Sequence, residues 1–421
     1  MMKKLLLMMA VLAVPAMTSF AQDYAGSDYS TTTSPVERGF TISGEVTAKG
    51  YVSPSGGSSG ADLDKAHGAS LADDDTHIRF TYNFSEYSGA MFSLGFNGGM
   101  NEKPSATVKD VWGWSDILGE LGMNKAVGLR ISMGMLKDDG GIGKRHFNAS
   151  RGLDFGFNSG DDVYTDTGAA TDTYNWRLDI PMNFMSDVFP LNLGVISDLD
   201  FSRNNGGHST IVELSSQNMN IADGMMTLNW NVYYQNFMKS DSGTGSSGDA
   251  WNEDTAKHYD FMAVGGSLGL DMAIGNSMLL GVGTAMTWQE QRNFLDLADP
   301  KRHEFNMAVG THFGMVDIFD LHVGFMGYQA ESSNKAFTKN WLALRADFLM
   351  IPKVKIFGGL GIGLSDTITN KISYEVGMRF DPIDNLNFMV GWQAGSDELG
   401  SIEAVQETVK GAIYVRATWL F

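Results

Sequence analysis

The chain has 421 residues, of which 43% are hydrophobic, and a formal net charge of −19. That acidic balance excludes non-specific nucleic-acid binding, which needs Lys and Arg to displace counterions from phosphates. The absence of cysteine excludes disulfides and thiolate metal sites, and a mean hydropathy of −0.13 is too polar for a bundle of spanning helices.

The N-terminus reads as a targeting segment. Lys3 and Lys4 precede an apolar run from Leu5 to Met17, and Ser19-Phe20-Ala21 ends on the small residue that a signal peptidase prefers. The expectation is a signal peptide over 1–21, cleaved after Ala21, that sends the chain through the inner membrane. Residues 22–38 are rich in Ser and Thr and carry no periodicity, so they are expected to form a flexible periplasmic arm.

From Phe40 onwards apolar and polar residues alternate, the signature of strands with two different faces. Phe40, Ile42 and Val46 oppose Thr41, Ser43 and Glu45; Ile78, Phe80, Tyr82 and Phe84 oppose Arg79, Thr81 and Asn83. Lys109 to Asp116 fits poorly, because Trp112 and Trp114 share parity with Asp110 and Asp116. Val127, Leu129, Ile131 and Met133 oppose Arg130 and Ser132; Trp176, Leu178 and Ile180 oppose Arg177 and Asp179. The pattern continues to the last stretch, where Val409 to Phe421 sets Ile413, Val415, Trp419 and Phe421 against Lys410, Tyr414, Arg416 and Thr418.

Turn lengths organise these strands. Short connections near Glu86, Leu118, Ser186, Ala222, Gly275, Ile318, Pro352 and Ile383 alternate with mostly longer ones near Gly60, Pro104, Gly156, Asn205, Gly245, Ala298, Ser333, Ile368 and Ser401. This predicts an all-β fold over 39–421, a transmembrane antiparallel up-and-down β-barrel of about 18 strands, with about 16 as the alternative. Short periplasmic turns would lie on one rim and long external loops on the other. A soluble sandwich also contains many short strands, and a propeller would need a recurrent blade motif, which is not found.

Taken together, the signal segment, the alternating strands and the terminal Tyr414…Trp419-Leu420-Phe421 resemble a Gram-negative-type outer-membrane porin. The Phe40-Thr41-Ile42-Ser43-Gly44-Glu45-Val46 start and the Trp112-Gly113-Trp114-Ser115-Asp116-Ile117-Leu118 segment are similar to porin-like proteins of spirochaetes. The resemblance implies a bacterial outer-membrane location and contact with its lipids. It also implies a terminal signal at Tyr414, Trp419 and Phe421 that barrel-assembly machinery reads, and it leaves a homotrimer open.

If the parity holds, Arg79, Arg130, Arg177, Asp179, Glu213, Arg345, Asp347, Glu375, Arg379 and Arg416 line the lumen. They either filter solutes or pair with one another and stabilise the wall; Arg177/Asp179, Arg345/Asp347 and Glu375/Arg379 are near enough along their strands to pair or to mesh with neighbours. Tyr233, Trp341 and Tyr414 are the inward aromatics, too few for a sugar track. The long segment 137–171 carries Asp138, Asp139, Lys144, Arg145, Arg151 and Asp154 and is either a constriction folded into the lumen or an external loop.

Catalytic patterns are absent from the sequence: there is no H-E-x-x-H and no G-x-S-x-G, so no enzyme activity and no cofactor are expected. The acidic clusters at Asp62/Asp64 and Asp73 to Asp75 lack EF-hand spacing, so no metal site is expected either. The expected function is passive diffusion of small hydrophilic solutes and ions, weakly favouring cations. The alternatives are a substrate-specific transporter for sugars or hydrophobic molecules, and a surface adhesin or structural barrel.

Overall fold

Alternation becomes strand because successive side chains of an extended chain point to opposite faces. The computed structural model describes residues 38–52, 67–71, 76–99, 105–123, 126–135, 174–184, 189–198, 207–221, 225–239, 259–275, 277–293, 301–316, 318–332, 335–365, 372–394 and 411–421. Their strands are β1 (Gly39–Val52), β2 (His67–Leu71), β3 (His77–Asn83), β4 (Ser88–Gly99), β5 (Ser105–Asp116), β6 (Arg130–Met135), β7 (Tyr174–Phe184), β8 (Phe189–Asp198), β9 (Gly207–Ile221) and β10 (Met226–Lys239). The series continues with β11 (Tyr259–Ile274), β12 (Met278–Asn293), β13 (Lys301–Met315), β14 (Phe319–Ser332), β15 (Lys335–Ile351), β16 (Val354–Gly363), β17 (Ile372–Ile383), β18 (Leu386–Ala394) and β19 (Ala412–Leu420).

From β3 onwards each strand pairs antiparallel with the next in sequence, and β19 returns to pair with β1 from Glu45↔Leu420 to Val52↔Ile413. The sheet therefore closes on itself and has no free edge. β2 and β3 lie end to end beside β1: β3 covers Gly39 to Glu45, and β2 covers Ala48 to Val52. They share one position in the ring, so the barrel has 18 staves. With an even number of staves, the first and last strands meet with Gly44 beside Phe421, at the rim that carries the short turns.

Those turns are compact because the residues allow it. Gly275 adopts φ 62° and Lys353 φ 72°, the left-handed conformations that let two strands reverse within a few residues. The connection near Leu118, expected to be equally short, is different. It spans 117–129 and contains the one-turn helix α1 (Ile117–Glu120). Asp116 caps this helix, its carboxylate accepting from Gly119 N at 3.0 Å and from Leu129 N at 3.3 Å. Gly122, at φ 68°, then turns the chain out of the helix. The strand expected from Val127 starts only at Arg130, and Val127 keeps a single bridge to Met182. On the opposite rim the connections are not uniformly long either: only 333–334 lie between β14 and β15.

The two faces differ as an amphipathic barrel requires. Val232, Val376 and Val415 point outward and are 52–53% exposed, and outward Leu268, Val282, Met286, Leu344, Phe388 and Val390 continue the belt round the ring. An apolar belt of this extent is stable only against an apolar solvent. Near the short-turn rim, Phe40, Phe80 and Phe92 stack across β1, β3 and β4 with centroids 6.1 Å apart. Tyr82 and Phe84 meet edge to face at 5.1 Å. Aromatic rings at this height suit the lipid–water boundary.

Candidate functional site

The inward face carries the charged side chains, and the period of two explains how they meet. Residues i and i+2 of one strand project side by side about 6.8 Å apart at their backbones. A planar guanidinium spans that gap to a carboxylate. Arg177 donates from Nε to Asp179 Oδ2 and from Nη2 to Asp179 Oδ1, both at 2.7 Å, and Asn192 Nδ2 adds a bond of 2.9 Å to Oδ1. Arg345 holds Asp347 at 3.1 and 3.0 Å, and Arg379 holds Asp381 at 2.7 Å. Arg416 donates from Nε to the Thr418 hydroxyl at 3.0 Å and reaches Glu45 across the closing seam at 3.8 Å. Thr418, Thr47 and Glu45 continue that seam with bonds of 3.0 and 2.8 Å.

Of the three couples near enough to pair or to mesh with neighbours, Glu375 and Arg379 take neighbours: Arg379 binds Asp381 two residues on, while Glu375 accepts the Tyr414 hydroxyl from β19. Both residues face inward on β17, but the shorter i+2 reach and the arrival of Tyr414 across β18 separate them. Glu213 accepts from Asn231 Nδ2 at 3.3 Å. Arg79 lies on the inward face between Ser43 of β1 and Ser93 of β4, and Arg130 stands over the Trp114 ring at 5.5 Å. On the terminal strand Tyr414 is buried on the inward face, whereas Trp419 and Phe421 lie together outside with centroids 5.6 Å apart. Asp138, Asp139, Lys144, Arg145, Arg151 and Asp154, together with Lys410, lie outside the described residues.

The tertiary structure adds two inward groups. His312 of β13 and His322 of β14 stand directly opposite and stack at 4.4 Å, and His312 Nε2 lies 3.1 Å from Asp320 Oδ1. Trp112 and Trp114 also face inward, with centroids 4.8 Å apart at 47°. The signal that misled is a bulge. Leu94 faces Val108 and Ser93 faces Asp110, so the register skips Lys109. Val108 therefore points out and Asp110 points in despite equal parity. Past the bulge, the whole even-numbered set Asp110, Trp112, Trp114 and Asp116 belongs to the interior.

A closed antiparallel sheet with an apolar outside and a charged inside decides the architecture. It is that of a transmembrane antiparallel β-barrel. No protein-family model matches the chain. No curated protein matches it. Among solved structures, the trimer form of OmpT, an outer-membrane protein of Vibrio cholerae, overlaps 92% of this chain and 100% of its own at 10% identity and a TM-score of 0.45. An anion-selective porin from Comamonas acidovorans overlaps 91% of this chain and 100% of its own at 11% identity and a TM-score of 0.45. The outer-membrane channel DcaP of Acinetobacter baumannii overlaps 91% of this chain and 97% of its own at 9% identity and a TM-score of 0.44. What those proteins conduct, and how they assemble, stays with them.

Among the described residues no group of three or more His, Asp or Glu side chains is placed to hold a metal ion. Chemically, the interior offers paired guanidinium and carboxylate groups, hydroxyls and a few aromatic rings.

Proposed function

We propose that the chain is a passive diffusion channel for small hydrophilic solutes and ions in a bacterial outer membrane, weakly favouring cations. The observation that carries this reading is the division of one closed sheet into an apolar exterior and an interior lined by Arg79, Arg130, Arg177, Asp179, Glu213, Arg345, Asp347, Glu375, Arg379 and Arg416. In this reading residues 1–21 are a cleaved signal peptide, 22–38 a periplasmic arm, and the short-turn rim faces the periplasm. Trp419 and Phe421, outside on the closing strand, are the handle for assembly machinery, and copies associate as trimers. The segment 137–171 narrows the lumen through its mixed charges. The cation preference follows from the acidic excess: without Lys3 and Lys4 the chain carries 28 Lys and Arg against 49 Asp and Glu, a formal −21, which attracts cations to the mouths within a Debye length of about 8–10 Å.

Planar-bilayer recording of the purified protein tests the reading. Stepwise conductance in salt is expected, with a reversal potential in a salt gradient of the sign that favours cations. A folded barrel without conductance sinks the channel, and an anion-selective reversal potential sinks the charge argument.

A second reading has one observation in its favour. Inward Tyr233, Gln235, Met326 and Trp341 are almost wholly buried, which suits a sealed structural barrel as well as a narrow channel. A sealed barrel would insert, fold and pass no current.

A further inference from the structure

The inward face of β5 carries a group that wall-stabilising ion pairs do not explain. Trp112 and Trp114 are part-exposed side by side, about 13 and 7 Å along the strand from its rim end at Asp116. Trp114 lies against the wall, because Gly89 opposite it leaves room: a Cβ there would come within 2.3 Å of the ring. The Arg130 guanidinium stands over Trp114. With the two rings 4.8 Å apart, no third ring fits between them, so a ligand stacks on an outer face of Trp112. Beside Trp112 the partner residue on β6 is Gly134, at φ 142°, which adds no side chain to that part of the wall.

Among the described residues, two polar groups there have no hydrogen-bond partner. The Trp112 indole Nε1 is buried and donates to no described group, and the Ser132 hydroxyl, 2% exposed and paired across from Trp114, is likewise unmatched among them. Buried donors of this kind want an acceptor. Asp110, wholly buried, sits two residues from Trp112 on the same face, and Arg130 is on the other side.

We propose that Trp112, backed by Trp114 and flanked by Ser132, Asp110 and Arg130, is a carbohydrate-binding shelf on the lumenal wall near the short-turn rim. The proposal rests on the reading of the barrel as a solute channel and names a solute class for it. A sugar ring has an apolar face of C–H groups that stacks on indole. It also has a rim of hydroxyls that both donate and accept. A carboxylate and a guanidinium on opposite flanks disfavour a net charge of either sign and suit vicinal hydroxyls. A plain aromatic solute would cover Trp112 but leave the Nε1 and the Ser132 hydroxyl unmet.

The test is current block in planar bilayers with cellobiose and maltotriose, and benzoate as the aromatic comparison. Saturable block by a sugar is expected. Trp112→Ala should weaken it about tenfold, the worth of one stacked ring, and Trp112→Phe should restore most of it. Ser132→Ala should weaken it less. Heat-modifiable gel mobility shows whether each variant folds; if Trp112→Ala does not, Trp112→Phe and Ser132→Ala carry the comparison. A conducting channel that neither sugar blocks overturns the shelf, as does block that no variant changes. Block by benzoate alone overturns the sugar in favour of an aromatic solute. If the protein conducts nothing, the channel reading fails by itself. Calorimetric titration of the detergent-solubilised barrel with the same sugars then decides the shelf: binding lost in Trp112→Ala upholds it, and no binding overturns it.

Discussion

Arg177 grips Asp179, two residues along its own strand, through two hydrogen bonds of 2.7 Å, and both side chains are almost fully buried, at 3% and 0% exposure. The i to i+2 spacing recurs at Arg379 and Asp381, but there one bond of 2.7 Å joins side chains that are 40% and 25% exposed. Burial, together with the second bond, separates the two pairs energetically. A buried guanidinium deprived of its carboxylate has no bulk water to replace it, whereas an exposed one is rehydrated.

Asp179→Ala should therefore destabilise the barrel by about 3–5 kcal/mol. Asp381→Ala should cost no more than about 1 kcal/mol. Urea unfolding in phospholipid vesicles, followed by tryptophan fluorescence, measures both. Equal losses would reject the argument from burial.

The closing seam makes a second prediction. Gly44 N donates to Phe421 O at 2.9 Å and Phe421 N donates back to Gly44 O at 3.0 Å. A Cβ on Gly44 would lie 2.4 Å from the His77 carbonyl and 2.7 Å from the Phe421 ring. The carbonyl belongs to the backbone of β3 and cannot step aside. Gly44→Ala should cost about 1–3 kcal/mol, and removing Phe421 should lower the yield of folded barrel in membranes. Normal yield without Phe421 counts against its role as an assembly handle.

Acid dependence has a local component at α1. Hydrogen bonds from the Ser85 and then the Ser88 hydroxyl hold the Glu120 carboxyl below its ordinary value of 4.5, outweighing a small burial effect, with Arg38 adding a weaker pull. Since the folded value is depressed, the contribution to stability is full above the unfolded value and is lost as pH falls through the folded one. Melting curves of the native chain and Glu120→Gln should differ most near neutral pH and converge as the medium is acidified below 4.5. A difference that widens on acidification would contradict the sign.

Replacing 137–171 with a short turn distinguishes a constriction from an external loop. Single-channel conductance should rise in the shortened protein if Lys144, Arg145, Arg151 and the acids around them narrow the lumen. Unchanged conductance assigns the segment to the outside.

Much of the barrel was legible because its information is local. The period of two marks each face without knowledge of the neighbouring strand, so the inward orientation of Arg177, Arg345, Trp341 and Tyr414 is written in their parity. The alternation of turn lengths supplied the up-and-down order and the even count. β5 was obscured because a bulge at Lys109 inverts the parity part-way along, and one residue is enough to do that. The helix α1 was obscured because Asp116 reads as a strand residue until its carboxylate is seen to cap Gly119.

By itself, the sequence determined the class of the molecule: two-faced strands joined by turns of alternating length. The tertiary structure alone decided who meets whom. Glu375 takes the hydroxyl of Tyr414 and not Arg379, His312 meets His322, and Trp112 turns inward beside Ser132 and Arg130. The reason is physical. Facing is a property of one strand's own backbone, whereas partnership depends on the register between strands that lie far apart in the chain, which only closure of the sheet defines.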